Sequence, residues 1–120
     1  MDVATSSILN LEDLLTRVDD DRELLVELFF IFKSGCPGNL LRLRKAIRGE
    51  DGPQAERECH AFKGMLLNLS APRAAAAARD LEDQARQRQF ASMKISLAEL
   101  EAEVQLLLAQ IEERAGEYRP

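Results

Sequence analysis

Met93, Leu97, Leu100, Val104, Leu107 and Ile111 recur in alternating steps of four and three residues. This is a heptad seam: on an α-helix all of them fall on one stripe, which other helices must cover. Such a seam suits the fourth helix of a bundle or the contact surface of a coiled-coil dimer. Three more amphipathic segments precede it and each needs a partner, which favours the bundle. The rest of the chain agrees. Hydrophobic residues make up 46% of 120 residues, enough for a single core, while aromatics are 5% and tryptophan is absent. Leucine and alanine dominate, which favours helix over sheet. The connections are short, so sequential helices run antiparallel. The expected fold is all-α: an antiparallel up-down four-helix bundle with a short additional N-terminal helix.

Taken in order, Met1 to Ser7 has no periodicity and is expected to be a flexible tail (residues 1–7), followed by a single domain over 8–117. Asn10 can cap a short helix with Leu11, Leu14, Leu15 and Val18 on its apolar side. Asp19-Asp20-Asp21 supplies a cap and favourable charge to the next helix, which is expected to run to about Lys33 with Leu24, Leu25, Leu28, Phe29 and Phe32 inward. Gly35-Cys36-Pro37-Gly38 is a stop-and-start signal, and the helix beyond it carries Leu40, Leu43 and Ile47. The two pieces could lie nearly coaxially as one long kinked helix. Gly49 to Gly52 is a turn, Pro53 opens the following helix, and Ser70-Ala71-Pro72 ends it. Ala74, Ala78, Leu81 and Ala85 then form a small-residue stripe suited to close packing.

Charge and cysteine usage exclude several functions. The net charge is −5, from 16 basic and 21 acidic residues, so binding to a phosphate backbone is disfavoured. Arg42, Arg44, Lys45 and Arg48 read as a solvated helix face. Cys36 and Cys59 have neither metal-site spacing nor the number that makes a disulfide scaffold, and reduced thiols in a cytoplasmic protein are the simplest account. No basic-then-apolar leader and no bilayer-length apolar run is recognised, so no membrane association is expected. There is no glycine-rich phosphate loop with its lysine, so the chain is not expected to take phosphate from ATP.

One stretch carries the chemistry. Glu58 to Leu69 contains the sole histidine of the chain, His60, and reads as the middle of a helix. With successive residues about 100° apart, Ala55, Cys59, Phe62, Met65, Leu66 and Leu69 share one arc and His60 falls opposite it. Lys63, Gly64 and Leu67 follow His60 by three, four and seven residues and share its face. Gly64 costs a helix about 1 kcal/mol relative to alanine, which makes sense where something must approach the backbone closely. Leu67 is an apolar residue on a wet face, a candidate docking contact. His60 is thus expected to be exposed, with a cation and a gap beside it.

His60-Ala61-Phe62-Lys63-Gly64, then Asn68-Leu69 and Ala71, resembles the core motif of the histidine-containing phosphotransfer (HPt) family: His-x-hydrophobic-Lys-Gly, a run of mostly small residues, then Asn-Leu-Gly-Ala. Asp21 to Phe32 resembles that family's first bundle helix, and Ala78-Arg79-Asp80-Leu81-Glu82 its Ala-x-x-Leu-Glu segment, so the likeness covers about Asn10 to Ile111. Met65, Leu66 and Leu67 are bulkier than the family's usual residues there, and Ser70 stands where the family has glycine.

The resemblance implies a phosphorelay intermediate. His60 would accept a phosphoryl group from an aspartyl-phosphate receiver domain or a sensor kinase carrying one, and pass it to a response regulator. Neutral imidazole is a good nucleophile, and its ordinary pKa of about 6.5 leaves it mostly unprotonated at pH 7. Lys63, one turn away, would neutralise the phosphohistidine. Gly64 would give the partner access, and Leu67, Arg57 and Asn68 would be docking contacts. No cofactor is expected on this chain; the magnesium such a transfer needs would sit on the receiver. The protein is expected to be a cytoplasmic monomer without kinase activity of its own. The alternative, carried by Leu67 and Ser70, is a degenerate module of the same fold that binds a signalling partner without phosphotransfer.

Overall fold

The computed structural model describes residues 7–118. Among them are five helices and no strand: α1 (Leu11–Arg17), α2 (Arg22–Arg48), α3 (Gly52–Asn68), α4 (Pro72–Arg86) and α5 (Phe90–Tyr118). Apart from Ser7, the expected tail lies outside the described residues; the Ser7 carbonyl accepts from the Arg73 amide at 3.3 Å.

Each of the first three helices begins where a side chain satisfies an orphan backbone donor. Asn10 accepts from the Asp13 amide at 3.1 Å, Asp21 from Leu24 at 3.0 Å and Asp51 from Gln54 at 3.1 Å. α4 instead begins on Pro72, which lacks the donor. The ends of α2, α3 and α4 share one device. The amides of Glu50, Ser70 and Arg88 reach back to Ile47, Leu67 and Ala85, and the next amides to Ala46, Leu66 and Gln84. This paired closure needs a left-handed residue, usually glycine. Here Glu50 (φ 51°), Ser70 (55°) and Arg88 (57°) take that conformation, and no described glycine does.

The helices pack in a closed cycle: α2 on α3, α3 on α4, α4 on α5 and α5 on α2, with α1 resting against α2. Inside lie Leu25, Phe29, Phe32, Leu43, Phe62, Leu66, Leu81 and the α5 seam, of which Met93, Leu100, Val104, Leu107 and Ile111 are buried and Leu97 is partly so. Phe32 and Phe62 stack across α2 and α3 with ring centroids 6.1 Å apart. The stripe Ala74, Ala78, Leu81 and Ala85 is buried throughout, and α4 packs on both α3 and α5.

Three expectations need correction. α2 is not interrupted at Gly35-Cys36-Pro37-Gly38 but runs through Pro37 as one helix. Phe32, Cys36, Leu40 and Leu43 stay buried on one side throughout, while Pro37 is exposed. The hydrogen bond that Pro37 cannot make therefore falls on the solvent-exposed side, and core packing holds the helix across the break. Leu24, expected inward, is exposed, whereas Leu25 beside it in the same turn is fully buried, so the inward stripe of α2 begins at Leu25. The expectation that no apolar run reaches bilayer length also needs correction: α2 is the one described helix long and apolar enough by length and composition to cross a membrane, and most of its apolar stretch is not buried inside the protein.

Candidate functional site

His60 sits on the outer face of α3 with its side chain 72% exposed, as the wheel requires, while Cys59 and Phe62 on either side are buried. The ring does not stand alone. Across the narrow α3–α4 seam, Glu82 projects inward with only 5% of its side chain exposed. Its Oε2 lies 2.7 Å from His60 Nδ1, and Lys63 Nζ donates to its Oε1 at 2.6 Å. One carboxylate thus joins the histidine to the lysine a turn further on. Lys63, 19% exposed, reaches down into the seam rather than out into water.

The electrostatics follow. Burial by itself pushes the Glu82 carboxyl up, but hydrogen bonds and charge from Lys63 and His60 outweigh burial and hold it below its ordinary value. Glu82 is therefore an ionised carboxylate, which can only accept. Nδ1 of His60 must carry a hydrogen, so in the neutral tautomer it is Nε2, the nitrogen turned away from the seam, that holds the lone pair. The arrangement presents an oriented imidazole at the surface, with a cation anchored beneath it. The same carboxylate acts on Cys59. Burial, then the charges of Glu82, Glu58 and Glu56, push that thiol up to about 12, so it is no nucleophile at neutral pH.

The other sequence candidates divide into two groups. Arg57 borders an open hollow of about 480 Å³ with Pro53, His60, Ala61, Glu82 and Arg86, and donates to Gln54 at 2.7 Å. Gly64 is beside the histidine: a Cβ built there meets nothing within 4 Å, so the surface next to His60 is open. Leu67 and Asn68 are exposed but lie about 10 Å further along the helix axis. Asn68 lines a separate small hollow with Leu28, Ile31, Phe32, Met65 and Leu69. The site residues thus spread along one face rather than converging on one pocket.

Glu82 and Arg86 were not singled out by sequence reasoning. Glu82 continues the spacing of Ala74 and Ala78 onto the packed side of α4, and a carboxylate on that side demands a cationic or donor partner. That was the available signal. Arg86, one turn on, faces the His60 hollow and is held by Glu56 at 3.2 Å. Nothing in the sequence pairs those two, because the pairing depends on how α3 and α4 cross.

Ser70 has a structural account. It occupies the left-handed position closing α3, where the family pattern has glycine. Its hydroxyl donates to Asp13 Oδ2 at 2.6 Å and its carbonyl accepts from the Asn10 amide at 2.8 Å, so this residue fastens α1 to the α3–α4 turn.

No curated protein matches the sequence. Among solved structures, the crystal structure of histidine-containing phosphotransfer protein B (HptB) from Pseudomonas aeruginosa PAO1 superposes with a TM-score of 0.88 at 20% identity, covering 95% of this chain and 99% of that one. At that identity the likeness speaks for the fold. The Hpt domain family model matches residues 27–114, which include His60, Lys63, Gly64 and Glu82, and the chain belongs to the Hpt domain family.

Proposed function

We propose that this protein is a phosphorelay intermediate in which His60 accepts a phosphoryl group from an aspartyl-phosphate receiver domain, or a sensor kinase carrying one, and passes it to a response regulator. The observation that carries the reading is the Glu82 bridge, with Nδ1 of His60 at one oxygen and Nζ of Lys63 at the other. Nε2 attacks phosphorus, the P–O bond to the partner's aspartate breaks, and the carboxylate leaves with the electron pair. The phosphorylated ring keeps its Nδ1 hydrogen and becomes cationic, which Glu82 stabilises. Lys63 lies where its charge offsets the incoming phosphoryl oxygens. Magnesium is assigned to the receiver, where the aspartate resides.

The architecture that serves this role is the antiparallel up-down four-helix bundle with α1 as the short added helix, forming a single cytoplasmic domain over 8–117 that acts as a monomer and a carrier rather than an ATP-dependent kinase. Leu67, Arg57 and Asn68 are docking contacts for the receiver, and Gly64 leaves room for it. The degenerate-module alternative loses one of its two supports, since Ser70 has a structural role at the α1 junction.

The test is incubation with a panel of receiver domains loaded by acetyl phosphate. The expected product is an acid-labile, base-stable phosphate on this chain that disappears in His60→Gln. Absence of label from every receiver, with the protein folded, would leave the non-transferring module as the better reading.

A further inference from the structure

A hollow larger than the one beside His60 lies elsewhere on the bundle. It is a groove of about 760 Å³ between the N-terminal half of α2 and the C-terminal half of α5. In the helix cycle this side lies across from the α3–α4 seam that holds His60 and Glu82, and the two hollows share no lining residue. Val26, Phe29, Ile111 and Ala115 are among its apolar lining, and Phe30 stands at its wall with 68% of its surface exposed. An aromatic ring left this open on a helix whose apolar stretch is mostly uncovered is surface that a partner would bury.

The charge around the groove selects the partner. Its rim carries Glu23, Glu27 and Glu112 against the single cation Lys33. Lys33 is engaged by Glu112 at 2.7 Å, and Glu23 and Glu27 form no ion pair among the described residues. The approaches keep an acidic excess: Asp19, Asp20 and Asp21 lead into α2 ahead of Arg22, and on α5 Glu113 and Glu117 flank Arg114, which pairs with Glu117 at 3.3 Å. An anionic lipid surface is repelled by this field. A second copy docked about a two-fold axis would set Glu27 and its neighbours against themselves. A helix with an apolar face and basic flanks meets complementary surface on both counts.

We propose that this α2–α5 groove docks an amphipathic basic helix of a partner protein, in a position that leaves His60 free. The full-length protein would be titrated with a synthetic Leu/Lys helix about five turns long, apolar at helical spacing, and with the matching Leu/Glu helix. Amide chemical shifts report the site. The Leu/Lys peptide is expected to perturb Val26, Phe30, Ile111 and Ala115 but not His60, and the Leu/Glu peptide nothing. Phe30→Ala and Glu27→Lys should each weaken binding about tenfold or more while leaving the shifts around His60 in place. Phe30 and Glu27 are exposed, so both variants test the groove without removing core. The proposal is overturned by shifts centred on the His60 hollow, by equal binding of both peptides, or by Phe30→Ala binding as wild type. It is equally overturned if the groove signals respond to protein concentration, marking a second copy, or to anionic vesicles and not to peptide, marking a membrane.

Discussion

At the residue scale, Glu82 separates this histidine from an ordinary surface imidazole. Its carboxyl is held below its ordinary value of 4.5, so its contribution is complete above that pH and is lost as pH falls through the depressed value. Glu82→Gln keeps an acceptor for Nδ1 but removes the charge. It should destabilise the protein at pH 7 by up to about 1.5–3 kcal/mol, the range for hydrogen bonds to charged groups. The gap between wild type and variant should narrow as pH falls below 4.5, and urea midpoints measured stepwise from pH 7 into acid check this; a gap that stays constant throughout would mean the charge is not what matters. The same variant should transfer phosphate more slowly, because the cationic phosphorylated ring loses its counter-charge. Gly64 makes the opposite trade. Since a Cβ there meets nothing, Gly64→Ala should stabilise the helix by up to about 1 kcal/mol while slowing transfer from a receiver. A less stable Gly64→Ala protein with normal transfer would refute the access role. His60, Lys63 and Gly64 were legible because they share one helix, where spacing alone fixes the face. Glu82 was not, because its relation to His60 exists only across two helices.

At the element scale, local signals located the helices and tertiary packing overruled one of them. The caps at Asn10 and Asp21 were readable, since a short polar residue before an apolar run has one obvious use. Pro37 misled because it stands in a Gly35-Cys36-Pro37-Gly38 run, while the residues that hold α2 together are Phe32, Cys36 and Leu40, spaced around it and buried. An interior proline costs a helix about 3 kcal/mol, of which its restriction of the unfolded chain returns about 0.4–1. Pro37→Ala should therefore raise stability by about 2 kcal/mol, seen as a higher urea midpoint with unchanged slope. Ser70 offers a second element-scale test. Ser70→Gly relieves a left-handed φ of 55° but removes the hydrogen bond to Asp13. Those effects are each about 1 kcal/mol, so global stability should scarcely move. Amide hydrogen exchange in α1 should nevertheless speed up, because α1 loses its fastening to the α3–α4 turn; unchanged protection of Leu14 and Val18 would show that apolar packing alone holds it.

At the scale of the whole molecule, the heptad seam of α5 decides between a self-contained fold and a zipped dimer. A coiled-coil dimer would leave the seam exposed in each chain. Met93, Leu100, Val104, Leu107 and Ile111 are instead enclosed by the chain's own helices, and only Leu97 remains half-covered near the start of α5. The pattern announced that α5 needed cover but could not say whose, since three amphipathic neighbours and a second copy present similar apolar stripes. The consequence is thermodynamic. Folding of a chain that encloses its own seam is unimolecular, so its Tm should not change with protein concentration, whereas a seam buried by a partner would make Tm rise with concentration. Leu100 is the sharpest probe because it is fully enclosed and remote from the His60 face. Leu100→Ala should cost about 2–5 kcal/mol, as buried leucines do, and the loss should be the same in dilute and concentrated samples. Light scattering should give the monomer mass for both proteins. A loss that shrinks as concentration rises, together with a dimer mass in the wild type, would move the seam to an interface between copies and require a different account of what covers α5.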